Sequence, residues 1–365
     1  MTSTDGDARF VNLMTPARFG RIELRNRVVM APMTRARATP DGAVTDIMVE
    51  YYRQRAGAGM IITEGVYPSE DGKGYCRTPG LVSSDHAAGW RRVTEAVHAE
   101  GGTIVMQMMH VGRVAVAANK AAGAETIAPS AVAARLRMYT DVDGGTMQPC
   151  DSPRALDGDE IPAVIADYVR STELAFEAGF DGVELHGTSG YLPAQFLSTG
   201  TNHRDDDWGG SVAGRIRFFV EVASAMADVD GADRIGFRIC PGNPYNDLHD
   251  DDPEETFRAL LAALDPLGLA YCHTLRLPTG PVDNEALCRQ GFSGPLIIND
   301  SYEPAEANQA LAEGRGDAVA FGRRFITNPD LVDRIAGGHE LASTRADHIY
   351  DPGPQGYIDF PTRSD

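Results

Sequence analysis

Short, almost wholly apolar runs recur along the chain at 27–33, 59–63, 103–110, 182–186, 235–240, 270–275, 295–299 and 318–322. Each is brief, lacks a helical period and is bounded by Gly, Pro or polar residues, which predicts buried strands. Between them lie stretches with helical spacing at 46–58, 85–100, 161–178, 212–227, 253–264, 284–290, 304–313 and 328–335. Asp46 stands near the first helix start, and Gly101-Gly102 closes the second. Residues 1–17 read as a loose tail and 18–24 as a small hairpin. Residues 111–158 are rich in Ala, Gly, Asp and Pro and break the rhythm. They predict an excursion over the mouth of the fold, part of a binding rim. Residues 347–361 hold too many Pro and Gly for a helix, and their aromatics predict that the segment packs back on the body.

Eight nearly all-apolar strands alternating with helices describe an α/β protein with a parallel sheet covered by helices. The count and spacing favour a single closed (β/α)8 TIM barrel over residues 1–365, with a short N-terminal hairpin and a long excursion after strand 3. No GxGxxG follows the first strand, which counts against a dinucleotide-binding open sheet.

Charge and cysteine usage narrow the partners. With 33 Lys+Arg against 52 Asp+Glu, the net charge is −19. Nucleic-acid binding needs clustered basic residues, so this balance argues against it. Five cysteines, an odd number with no CxxC, point away from a disulfide framework or metal centre and toward a reducing, cytoplasmic setting. The polar, acidic start is unlike a secretory leader, and no apolar run has membrane-spanning length.

In a barrel, chemistry gathers at the carboxyl ends of the strands. The stretch FDGVELHGTSGYLPAQF places His186 at the end of the fourth strand and Tyr191 five residues on, across Gly187 and Gly190. An imidazole can hold an oxygen near neutral pH and a phenol can give up a proton. Taken alone, the stretch is better read as a His and a Tyr buried with ordinary hydrogen-bond partners. The other strand ends offer Pro32, Thr34, Glu64, Gly65, Gln107, His110, Arg238 and Arg323. This set is rich in donors. It has no carboxylate pair for glycoside chemistry, no late-strand Lys for a Schiff base, no nucleophile elbow and no metal cluster. Asn299-Asp300-Ser301 and Gly322-Arg323-Arg324 fill the loops where such barrels often seat a phosphate. Asp300 is an unwelcome charge there unless it turns away.

At this point the chain resembles the old yellow enzyme family of FMN-dependent ene-reductases. The runs that carry the resemblance are NRVVMAPMTRARA (26–38), YYRQRAGAGMIITEG (51–65), VHAEGGTIVMQMMHVGR (97–113), AGFDGVELHGTSGYLPAQFLSTGTNHRDDDWGG (178–210), AVAFGRRFITNPDL (318–331) and QGYIDFP (355–361). They occur in the family's order and cover nearly the whole chain. The resemblance implies non-covalent FMN, reduced by NADPH or NADH, and a small activated alkene as the second substrate. It implies flavin contacts from Pro32, Thr34, Gly65 and Gln107, with Arg238 beside the ring edge that gains charge on reduction. Arg323, with the amides near Ser301 and Gly322, would seat the phosphate. His186 and position 189 would hold the substrate oxygen, Tyr191 would supply the proton, and Tyr75, Met109 and Tyr350 would line the pocket. A monomer or homodimer is implied, with no membrane or nucleic-acid partner.

Three departures qualify the match. Ser189 stands where the family places Asn or His. One neutral hydrogen bond in a dry site is worth roughly a factor of ten to a thousand in rate, so a flavin-binding barrel with weak or altered reductase activity is the alternative. Asn299-Asp300 replaces a glycine-rich phosphate turn. Trp208 stands in place of the usual Tyr, a packing change.

Overall fold

The computed structural model of the protein describes residues 10–345 and 347–363. Eight parallel strands close into a barrel: β1 (Val28–Met30), β2 (Met60–Val66), β3 (Ile104–Met108), β4 (Gly182–His186), β5 (Ile235–Ile239), β6 (Tyr271–Leu275), β7 (Leu296–Asn299) and β8 (Ala318–Phe321). Each pairs with the next and β8 pairs with β1. The uniformly apolar runs conceal a period of two. In β3, Ile104, Met106 and Met108 join the core packed with the helices, while Val105 joins the cluster inside the barrel. Both faces are buried, so both are apolar.

The helices follow the strands as the spacing predicts: α1 (Asp46–Gln54), α2 (Ser84–Ala99), α3 (Ile161–Glu177), then a short α4 (Leu192–Leu197), α5 (Val212–Asp230), α6 (Pro253–Leu264), α7 (Asn284–Gly291), α8 (Pro304–Ala312), α9 (Arg323–Thr327) and α10 (Leu331–Ala336). Side chains cap several N-termini. Ser211 accepts from Gly214 N at 3.1 Å, Asp252 from Glu255 N at 3.0 Å and Asp283 from Ala286 N at 3.1 Å. The short helices α4 and α9 escape a periodicity reading because they hold less than two full turns.

Three expectations need correcting. Residues 1–9 lie outside the described residues, but the rest of the supposed loose tail is structured. Val11–Met14 is a helical turn whose Asn12 N donates to Asn308 Oδ1 on α8 at 2.9 Å, and Ala17 already begins the hairpin. The excursion at 111–158 carries elements of its own: an antiparallel hairpin, Arg137–Thr140 with Thr146–Pro149, and a two-residue parallel pair, Ile127–Ala128 with Arg154–Ala155. Its strands are too short and too polar to register as an apolar run. The second barrel strand runs on through Glu64 and Gly65 to Val66, with a register shift between Ile62 and Gly65 against β3.

The N-terminal hairpin, Ala17–Phe19 with Ile22–Leu24, stoppers the barrel. Phe19, Ile22 and Leu24 are buried against Val29, Met60, Ile62, Val105, Tyr271 and Ile297 of the interior. At the other end the C-terminal segment packs back, as its aromatics predict. Tyr357 is fully buried and stacks on Tyr51, with centroids 4.1 Å apart and planes within 7°. Buried arginines of the loop after β1 hold it. Arg35 donates to Gly356 O at 2.6 Å and Arg37 to His348 O at 2.7 Å.

Glu64 lies among these groups, 1% exposed, and accepts from Arg35 N at 3.2 Å and from Tyr52 Oη–H at 3.4 Å. Burial raises its carboxyl to about 7, against the backbone bond from Arg35 and the Arg35 charge, which lower it. The unfolded chain releases this proton near the ordinary carboxylate value and the folded chain holds it to about 7. Deprotonation across that window therefore favours the unfolded state, and stability falls as pH rises through it. Glu64→Gln should remove this part of the decline, roughly 3 kcal/mol at most. Urea unfolding of wild type and variant at pH 5 and pH 8 checks it; curves that stay parallel across pH refute it.

Candidate active site

The site is assembled at the carboxyl end of the barrel. β4 ends at His186, and the turn that follows must double back to present Tyr191. Gly190, at φ +76°, makes this possible, since a Cβ there would meet Asn246 Cβ at 2.8 Å and Tyr245 O at 2.9 Å. The His186 and Tyr191 rings sit edge to face with centroids 5.0 Å apart. Tyr75 closes the group: its Oη lies 3.0 Å from Tyr191 Oη. His186, Tyr191 and Tyr75 are thus brought together, the first two from one strand end and Tyr75 from a distant segment.

Their electrostatics suit oxygen holding and proton delivery. Burial, then the Arg238 charge and His273, push the His186 imidazole well below its ordinary value, so it is neutral and keeps one N–H. Its Nδ1 is buried without a partner. Burial and the neighbouring Tyr75 push the Tyr191 phenol well above its ordinary value, so it keeps its proton until a strong base asks for it. Tyr75 is pushed up to about 12, again mainly by burial.

Ser189 is half-buried in the left-handed region, at φ +58°, which Asn tolerates better than Ser. Its carbonyl accepts from Asn246 Nδ2 at 2.8 Å. Asn246, itself at φ +57°, was not legible as a site residue from the chain. It belongs to the loop after β5, which Asp247 ties to the excursion through two bonds of 3.0 and 2.7 Å from Arg135.

A cavity of about 340 Å³ lies at the carboxyl ends of β1, β5, β7 and β8, and its lining includes Pro32, Arg238, Asn299, Ser301, Gly322 and Arg323. Arg238 is 8% exposed; its Nη2 donates to Asn299 Oδ1 at 2.8 Å and its Nε is buried without a partner. Arg324 is engaged by Glu303 at 2.6 Å, whereas the neighbouring Arg323 is exposed. Asp300 and Ser301 both adopt left-handed backbone, φ +88° and +55°, where glycine is the usual occupant. Arg276 staples this turn, donating to Asp300 O at 2.7 Å and Ser301 O at 2.8 Å. The Asp300 carboxylate accepts from Ser301 Oγ–H at 3.1 Å yet still acts on Arg238, so its charge has not turned wholly away.

Gly65 packs against Met109, whose Sδ would lie 2.4 Å from a Cβ at that position, so a side chain there would displace the Met109 wall. Thr34 is half-buried on the loop after β1. Gln107 lies lower in the barrel, with its Nε2 donating to Glu184 Oε1 at 2.7 Å. Tyr350 stands apart: it is 61% exposed, and its carbonyl accepts from Arg77 at 3.1 Å. The chain reading missed Glu184 and His273. Both are polar residues in otherwise apolar strands, and Glu184 shares a strand face with His186 two residues on, which was the available signal.

A ligand with an anionic tail, a flat polar edge and an apolar face fits this donor set. Arg323 lines the cavity, and Arg238 Nε and His186 Nδ1 are buried polar atoms without a hydrogen-bond partner. FMN has these features.

Comparison with known proteins agrees. Residues 12–342 match the family model described as NADH:flavin oxidoreductase / NADH oxidase family. The chain is 37% identical to a probable flavin mononucleotide-dependent alkene reductase of Leishmania infantum, over 96% of this chain and 97% of the relative. It is 34% identical to 12-oxophytodienoate reductase 2 of Arabidopsis thaliana, over 96% of each. Among solved structures it resembles morphinone reductase, with TM-score 0.92 and 40% identity over 97% of this chain and 96% of that one. It also resembles the old yellow enzyme of Trypanosoma cruzi, with TM-score 0.92 and 35% identity over 97% and 99%. A barrel with this rim, matched along almost its whole length, belongs to the NADH:flavin oxidoreductase / NADH oxidase family, that of the old yellow enzymes.

Proposed function

We propose that this protein is an FMN-dependent ene-reductase that uses NADPH or NADH to reduce the C=C bond of an α,β-unsaturated ketone, aldehyde, imide or nitroalkene. The observation that carries the reading is the neutral imidazole of His186 beside the protonated phenol of Tyr191, with His186 paired in strand register to Arg238, which lines the cavity. FMN bound there supplies hydride transfer between the nicotinamide and the alkene. The chain supplies the rest. His186 donates to the carbonyl or nitro oxygen and draws electron density from the β-carbon. Tyr191 delivers its Oη proton to the α-carbon, and Tyr75 stands at 3.0 Å to help replace it. Arg238 offers its free Nε to the ring edge where charge gathers. Pro32, Thr34, Gly65 and Gln107 orient the ring, and Ser301, Gly322 and Arg323 seat the phosphate.

The relatives lend no support to the alternative of a weakened reductase, since those named above are reductases. No described helix is long and apolar enough to cross a membrane. A single catalytic barrel, monomeric or dimeric and working in the cytoplasm without a nucleic-acid partner, fits the acidic charge and the free cysteines. The test is an absorbance spectrum of the purified protein, followed by anaerobic NADPH and then cyclohexenone. A yellow protein that bleaches and recovers its colour on adding alkene supports the reading. A colourless protein that gains nothing from added FMN overturns it.

A further inference from the structure

Beneath the mouth lies a buried ionic layer in which two groups, Glu184 and His273, are not used by the chemistry above. Glu184 on β4 and His273 on β6 are both 0% exposed, with Glu184 Oε2 2.9 Å from His273 Nδ1. Glu184 Oε1 accepts from Gln107 on β3 at 2.7 Å. Strand register sets His273 beside Arg238, and Arg238 beside His186. With Nδ1–H donated to the carboxylate, His273 Nε2 is a bare acceptor, buried and without a partner.

The charges in this layer balance. Arg238 is positive, Glu184 is negative and His273 is neutral. Burial and Arg238 work against protonation of His273, while Glu184 works for it. Burial works against the Glu184 charge, but His273, Arg238 and Gln107 outweigh it and hold the carboxyl below its ordinary value. His186 on β4 is neutral, and Tyr271 on β6 keeps its proton. A net charge in such an interior is costly. Reduction of a flavin at the Arg238 edge adds one negative charge to this layer, and one proton on His273 would cancel it.

We propose that His273, held by Glu184, takes up a proton when the bound flavin is reduced and releases it on reoxidation. The proposal rests on the FMN reading above. The reductant passes two electrons and one proton to the flavin as hydride, and the second proton comes from solvent to His273 Nε2. His273 and Glu184 are then positioning residues that act through Arg238, and they tie the reduction equilibrium to pH.

The experiment is anaerobic photoreduction of the holoprotein against a reference dye from pH 6 to pH 8, which reads the equilibrium rather than turnover. Linkage makes the reduction constant of wild type fall about 100-fold per pH unit across the range where His273 changes state, against about tenfold in His273→Gln. Glu184→Gln, which keeps an acceptor for His273, is the second variant and should also lose the steeper dependence. A wild-type slope of tenfold throughout overturns the proposal, as does a steep slope that survives in both variants. A colourless protein would defeat the FMN reading and this proposal with it; a yellow protein with the shallow slope defeats this one alone.

Discussion

Tyr191→Phe should slow alkene-dependent flavin reoxidation by about 10²–10⁴-fold, the span of a lost general acid, while reduction by NADPH is unchanged. Phe retains the ring that packs edge to face on His186 at 5.0 Å, so pocket shape survives and only the proton is lost. Tyr75 cannot simply take over, because its ring centroid lies 6.3 Å from that of Tyr191, and its Oη reaches the site through the phenol that has been removed. Anaerobic stopped-flow of the two half-reactions separates these effects. Full-speed reoxidation in the variant would assign the proton to Tyr75 or solvent.

His186→Ala should cost about 10²–10³-fold in the same half-reaction, the value of one oxyanion donor in a water-poor site. It should also abolish the long-wavelength band that a phenol ligand produces over oxidised flavin. Because burial and Arg238 hold the imidazole well below its ordinary value, His186 stays neutral across the working range and contributes no inflection to the wild-type rate between pH 6 and pH 8. Steady-state rates and phenol titrations of the variant decide the matter. A phenol band of wild-type strength would mean that another group holds the oxygen.

The barrel was legible because its strands are buried on both faces and carry few polar residues, so each stood out as an apolar run. His186 and Tyr191 were legible as a pair at a strand's carboxyl end, across Gly187 and Gly190, while their roles came only with the family resemblance. What escaped notice depends on approach in space. Asn246 reaches the His186–Tyr191 turn from the loop after β5, fifty-seven positions from Ser189, and no local pattern marks it. His273 meets Glu184 only across the intervening β5, eighty-nine positions away. Asn299-Asp300 looked ill suited to a phosphate turn, and no local pattern shows that Arg276, from the preceding strand's end, braces the backbone there at Asp300 O and Ser301 O.

The stoppered floor has a kinetic corollary. With Phe19, Ile22 and Leu24 filling the lower opening, the cylinder is a cup and not a tube. With FMN seated at the upper rim, nicotinamide and alkene should share the one approach from above, and an excess of either should slow turnover with the other.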